Sequence, residues 1–301
     1  MSAINQSAIR EHLWPGILKF FGMTYKDYAP QWAMFFDTMK STKAYEEWVQ
    51  QFGTGLAPVK AAGAPIAVDE LGEVWKGRAE MSTFALSFAI TREAVEDNQY
   101  EALVPKYTKA LKRSMVITKE IRGAAYMEGM FSTNTTGDGV ASFSAVHPLR
   151  NGETFSNLGT AADLNETSLE AALISIGDFV DERGLPISAK ADKLTVPNAL
   201  RFTAERLFAT TMRPGTDSND INAMKSLGMF PGGYCVNNYL TDPDAWYIKT
   251  DVPDGPVFFD RRPLDIDDLD GSETQVMRVY ATERYTYANM DPRGSYGQPG
   301  V

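Results

Sequence analysis

The sequence predicts an α+β fold, and three observations carry that prediction. The segment from Pro105 to Met130 holds no second proline and reads as one long helix. From Phe84 to Ile90, larger apolar side chains alternate with Ala85, Ser87 and Ala89, the period of a half-buried strand. After Asn165, helix and strand candidates alternate along the chain, as they do in layered α/β units.

The long helix organises the rest. Proline suits a first helical position, where its missing N–H has no partner to lose. At a rise of 1.5 Å per residue the segment would be roughly 39 Å long, so it must cross or back a whole sheet. On a helical wheel Tyr107, Ala110, Leu111, Ile117, Ile121 and Ala125 fall on one side, the expected buried stripe. Lys106, Lys109, Lys112, Arg113, Lys119 and Arg122 occupy the rest. That basic side reads either as a solvated face or as a surface meeting an acidic partner or nucleic acid.

Composition narrows the function classes. The chain has 301 residues, 44% hydrophobic and 23% charged, which suits an ordinary soluble chain of one large domain or two. Its net charge of -10 argues against a protein built to grip nucleic-acid phosphates, which would be basic. The single cysteine, Cys235, forbids an internal disulfide, points to a reducing compartment and reads as a small apolar strand residue. No signal-peptide core and no long apolar window is present, so neither export nor a membrane span is expected.

The first 52 residues are rich in aromatics, among them Trp14, Trp32, Phe35, Phe36 and Trp48, broken by Pro15-Gly16 and Pro30. They read as an extended arm packing on another surface, or equally as a compact helical subdomain. Glycines and prolines from Gly53 to Pro65 then lead to a strand candidate at Ile66–Val68, a turn at Leu71-Gly72 and a long strand from Glu73 to Ile90. These read as a two-stranded ribbon, too small to be stable without a supporting surface. Its distal part, Val74 to Met81, places Trp75 between charges at the tip.

Beyond the long helix, His147 before Pro148 reads as a structural turn residue. Asn165 or Thr167 caps a helix with Leu169, Leu173, Ile176 and Val180 inward, stopped by Gly184 and Pro186. Leu194–Val196 is a buried strand, and Pro197-Asn198 opens a helix with Leu200, Ala204, Leu207 and Phe208 inward. Strand candidates follow at 234–237, 246–249, 257–259 and 274–287. The acidic run through Asp260, Asp265, Asp267, Asp268 and Asp270 resembles a calcium loop only loosely, since Leu269 stands at a ligand position, and reads as a solvated acidic turn.

No hydrolase elbow, nucleotide loop or dinucleotide fingerprint occurs. His12, His147 and Cys235 cannot make a zinc site without carboxylates, and no cofactor is implied. A carbohydrate-active enzyme using Asp/Glu pairs, or a monomeric binding module, stays open as an alternative to a structural protein.

Several runs, taken in order, give the chain a family resemblance. They are Ser41–Trp48, Phe88-Ala89-Ile90-Thr91-Arg92-Glu93-Ala94-Val95-Glu96-Asp97-Asn98, Phe143–Pro148, Leu194–Leu200 and Asp244–Ile248. Together they resemble the Mu-like major head subunit, a tailed-phage major capsid protein with the Hong Kong 97-type fold. Pro148 departs from the asparagine that relatives often carry there.

The resemblance implies an N-terminal arm at 1–52 and an extended E-loop ribbon at 53–90. It implies a peripheral domain with the spine helix at 91–160, an axial domain at 161–262 and a return strand with the C-terminal tail at 263–301. Copies would form hexamers and pentamers that close an icosahedral shell around double-stranded DNA held without sequence preference. The implied partners are other copies, a scaffold and maturation protease, a portal and decoration proteins, with no membrane. A cross-link through Lys60 or Lys76 is not expected. Trp14, Trp32, Trp75, Lys76 and Arg78 are the expected subunit-interface residues, with Trp75 packing on a neighbour and Lys76 and Arg78 pairing to its acids. Lys106, Lys109 and Arg113 are expected to face the shell interior or an acidic neighbour.

Overall fold

A computed structural model of the chain describes residues 29–63, 65–91, 100–210, 222–271 and 276–301. Trp14, most of the expected arm and the 92–98 run lie outside these residues. A 3-10 turn at Trp32–Met34 leads into β1 (Asp37–Lys40) and β2 (Tyr45–Phe52). The loop 53–71 separates β2 from β3 (Gly72–Glu80), and β4 (Ser82–Thr91) follows at once. The long helix α1 is Tyr100–Gly129, and the small strands β5 (His147–Pro148) and β6 (Thr154–Phe155) pair with each other. Next come α2 (Glu166–Gly177), β7 (Ala191–Pro197), α3 (Arg201–Ala209) and the short α4 (Ala223–Ser226). The strands β8 (Tyr234–Asn237), β9 (Trp246–Thr250), β10 (Pro256–Gly271), β11 (Val276–Asn289) and β12 (Ser295–Gln298) complete the order.

Two four-stranded sheets form the frame, ordered β1-β10-β11-β4 and β12-β9-β7-β8. The first backs α1. Leu111 and Met115 of the helix pack with Val104 against Ile90, Ile266, Val279 and Ala281 of the strands. At the helix's far end Met127 and Met130 enter an aromatic core of Phe35, Phe36, Phe143, Tyr247, Phe258, Tyr285 and Tyr287. The second sheet packs on α2 and α3 through Leu169, Ile176, Leu194, Val196, Ala204, Leu207, Trp246 and Ile248. Asn165 caps α2 reciprocally: its side chain accepts the Ser168 N–H at 2.8 Å, and Ser168 Oγ accepts the Asn165 N–H at 3.0 Å.

The structure corrects several expectations. Helix α1 begins at Tyr100, so Pro105 stands inside it rather than at its start. The buried side of α1 is not the predicted stripe, because Tyr107 is 48% and Ile121 50% exposed. Leu111 alone of that stripe is buried, and it is joined by Val104, Thr108, Met115, Glu120, Ala124 and Met127. Two of these are polar and satisfied: Thr108 donates to the Val104 carbonyl at 2.8 Å, and Glu120 accepts the backbone N–H groups of Gln31 and Trp32 at 3.0 and 3.1 Å. A wheel that counts only apolar residues therefore points the helix the wrong way. Helix α2 stops at Gly177, ahead of Gly184, which turns the following loop at φ +82°.

The ribbon is also built differently. β3 pairs antiparallel with β2, from Tyr45↔Glu80 to Phe52↔Gly72, and β4 pairs with β11. The chain changes sheets at Met81, whose N–H donates to the Ala44 carbonyl at 3.1 Å. Trp48 crosses over Gly77, where any Cβ would lie 2.3 Å from the indole, and its N–H donates to the Met290 carbonyl at 3.1 Å. Nor is the acidic run a turn. It forms the outer half of β10, with Asp265 opposite Thr282 and Asp267 opposite Tyr280, whose hydroxyl donates to Asp267 at 3.2 Å.

Candidate assembly surface

The pairing of β2 with β3 makes 53–71 the end of the ribbon. Its apolar side chains stand in water: Val59 is fully exposed, Val68 96%, Leu56 82%, Ile66 79% and Leu71 71%. Small proteins rarely leave such a set uncovered, and a long loop without secondary structure is usually functional. Lys60 is exposed on the same loop.

The root of the loop is held to the rest of the chain. Asp69 accepts the Gly55 N–H at 2.6 Å, and the Arg183 guanidinium donates to Asp69 at 3.1 Å and to the Glu70 carbonyl at 2.6 Å. The backbone N–H groups of Gly55 and Glu70, with Arg183 beside them, hold the Asp69 carboxyl below its ordinary range. Arg150 covers the Phe52 ring at 3.7 Å, and Gln50 donates to Asp291 at 3.0 Å.

The expected interface residues make contacts within their own chain. Trp75 is not at a tip. It sits half-buried within β3 against Gly137 of its own chain, where a Cβ would meet the indole at 2.1 Å. Lys76 pairs with Glu73 at 3.3 Å. Arg78 pairs with Glu80 at 3.1 Å and Glu47 at 3.8 Å, and lies over the Tyr45 ring at 3.9 Å. These acids belong to the same subunit. Trp32 packs on Phe258 at 4.2 Å between centroids and on Tyr287 at 6.2 Å. Trp14 lies outside the described residues. Sequence reading misplaced Trp75 because it missed β2, whose mixed residues Tyr45–Phe52 supply the strand beside it.

Lys106, Lys109 and Arg113 do share one side of α1, lining a single groove with Ala110, Ser114 and Ile117. A second groove runs between α2 and α3, where Ser168, Ala171, Thr203, Arg206 and Tyr296 line it. Among the described residues no group of His, Cys, Asp or Glu is placed to hold a metal ion, and no helix is long and apolar enough to cross a membrane.

Buried charge, which the sequence did not mark, braces the parts. Lys119 on α1 meets Glu283 on β11 at 2.7 Å. Arg293 is buried between Glu182 at 2.7 Å and Asp291 at 3.3 Å and donates to the Val180 carbonyl at 2.6 Å. Burial pushes the Glu120 and Glu283 carboxyls above their ordinary range, although hydrogen bonds in the first and Lys119 in the second pull the other way.

This architecture has known counterparts. The family described as phage capsid protein matches residues 76–297. No curated protein sequence matches the chain. Among solved structures, the capsid of the cyanophage P-SCSP1u matches with a TM-score of 0.55 at 11% identity, over 93% of this chain and 91% of that one. The capsid of an empty GTA particle gives 0.54 at 13% identity, over 92% and 93%. The capsid of Myoviridae phage XM1 gives 0.53 at 9% identity, over 93% and 95%. At such identities the likeness is one of fold, the α+β Hong Kong 97-type. The family match spans most of the chain, so this protein belongs to the phage capsid protein family, whose members build shells rather than turn over substrates.

Proposed function

We propose that the chain is the Mu-like major head subunit of a tailed phage or prophage, assembling as hexamers and pentamers into an icosahedral shell around double-stranded DNA. The observation that carries this reading is the exposed apolar loop at the end of the β2–β3 ribbon. A monomer gains nothing from wet apolar side chains, whereas a neighbouring copy would cover them. We place the arm at 1–44, the peripheral domain at 91–160 and 263–301, and the axial domain at 161–262. The ribbon assignment within 53–90 extends back to Tyr45, because β2 is one of its strands.

Assembly takes place in the host cytoplasm with a scaffold and maturation protease, and the finished shell carries a portal and, in some relatives' manner, decoration proteins. A net charge of -10 suits a container, since a strongly basic lining would trap DNA that must slide in and out. The test is electron microscopy and light scattering of the chain expressed with its neighbouring genes. Closed shells are the expected product. Small oligomers alone, with scaffold and protease present, would overturn the reading.

A further inference from the structure

Strand β4 stands at one edge of its sheet. Among the described residues it pairs with β11 alone, from Thr91↔Val276 to Ser82↔Tyr285, with no break in register. An edge strand offers a row of unpaired N–H and C=O groups, and proteins blunt such rows with charges, prolines and bulges. The opposite edge is treated that way. β1 covers β10 only as far as Asp260, and the part beyond carries Arg261, Arg262, Pro263, Asp265 and Asp267, with register shifts between Asp260 and Arg262 and between Arg262 and Asp265. β4 has none of these devices. From Ser82 to Thr91 there is no charge, no proline and no bulge, and Ala85, Ser87 and Ala89 leave its outward side small and exposed. The inward side is unfinished too. Phe84, Phe88 and Ile90 reach the core beneath α1, but Leu86 on the same side is 46% exposed. Tyr107 of α1, beside Phe88 at 5.9 Å between ring centroids, is 48% exposed.

We propose that β4 is the seam of a two-fold interface, pairing antiparallel with β4 of a second copy of this chain so that the two sheets run on as one. The inference rests on the self-assembly proposed above only in needing that second copy. The strand is complementary to itself. Facing residues of antiparallel strands point to the same side of the sheet, so the axis must set one residue opposite its own copy. Centred on Ser87, the pairing sets Leu86 opposite Phe88, Phe84 opposite Ile90, Ala85 opposite Ala89 and Thr83 opposite Thr91 of the second copy. Leu86, wet in one subunit, then lies against the second copy's Phe88 and beside its Tyr107. Copies of a chain with a net charge of -10 repel one another, and this uncharged stretch is a place where two can meet. The contact is isologous, so it closes as a pair and uses up an edge that would otherwise template aggregation.

The test is a cross-link on the axis. Cys235 is the chain's single cysteine, so Ser87→Cys in a Cys235→Ala background carries one thiol. Expressed as the full chain with its neighbouring genes, this variant should be joined to its own copy by a short bismaleimide, while Thr38→Cys on the opposite edge should not. A cross-linked dimer within shells supports the interface. Shells whose Ser87→Cys subunits run as monomers on a denaturing gel would overturn it and leave the shell reading standing. A cross-linked dimer without any shell would support the β4 seam and remove the shell reading, and neither product would remove both. Hydrogen exchange on the wild-type chain decides the matter if a cysteine variant does not fold. About half of the β4 amides should exchange freely in the unassembled chain and become protected on assembly. Fast exchange of 82–91 that persists in the assembly would also overturn the proposal.

Discussion

Lys119 Nζ lies 2.7 Å from Glu283 Oε2, and that carboxylate is 1% exposed. The pair joins α1 to β11, with the ammonium over the rings of Tyr285 at 5.1 Å and Phe258 at 5.6 Å. Burial still holds the Glu283 carboxyl above its ordinary range, so desolvation outweighs the attraction. Lys119→Ala would strand a buried charge and is expected to cost on the order of 3 kcal/mol. Lys119→Met combined with Glu283→Leu should recover most of that loss. Denaturant unfolding of the unassembled chain measures both, and a wild-type midpoint for Lys119→Ala would show that the pair does not brace the helix.

The loop at the ribbon's end should be dispensable for folding and needed for shells. Replacing 55–70 with Asn-Gly keeps the β2–β3 ladder and the Trp48 anchor. We expect a far-ultraviolet spectrum and melting temperature close to wild type, with no closed particles in micrographs. Normal particles from this variant would mean that the exposed loop is not an intersubunit element.

Lys106, Lys109 and Arg113 share one side of α1. If that side meets DNA or an acidic neighbour, changing all three to glutamate reverses the local field. Particle yield or genome content should fall, while the secondary structure stays. Wild-type yield together with wild-type genome content would remove the basic face from the assembly surface.

Stability should peak on the mildly acidic side. Burial raises Glu120 and Glu283 above the ordinary 4.5, so what they contribute is present below that value and is lost as the pH rises through their folded values. Asp138 behaves oppositely. Burial would raise it, but hydrogen bonds from His147, Thr136 and Val140 win and lower it, so its contribution fades as the pH falls below the ordinary 3.8. A melting series on the unassembled chain should therefore decline as the pH rises above 4.5, and Glu120→Gln with Glu283→Gln should flatten that limb. A melting temperature that climbs steadily across the same range would contradict this reading.

Local patterns were legible without a structure. A cap at Asn165, one of the two candidates, the inward Leu169 and Ile176, the buried Leu194–Val196 strand and the inward Phe84, Phe88 and Ile90 follow from short-range spacing, whereas Leu86 on the same strand face stays 46% exposed. The ordered runs from Ser41 to Ile248 pointed to the phage capsid family, which the match over 76–297 shows. These features depend on a few adjacent residues, whose propensities and periods do not need the rest of the chain.

What the sequence by itself determined was therefore the type of the most strongly periodic elements, the α+β class and the family. Tertiary structure decided which strands pair, which side of α1 is buried and where Trp75 lies. β2 and β3 meet across a long loop, while β4 finds β11 from far along the chain. Glu120 and Thr108 are buried because distant or backbone partners satisfy them, while Tyr107 and Ile121 stay wet. Gly137 gives Trp75 a floor that no local pattern announces. Pairing and burial are settled by contacts remote in sequence, where the cost of taking a polar group out of water is offset by a partner that a periodicity cannot name.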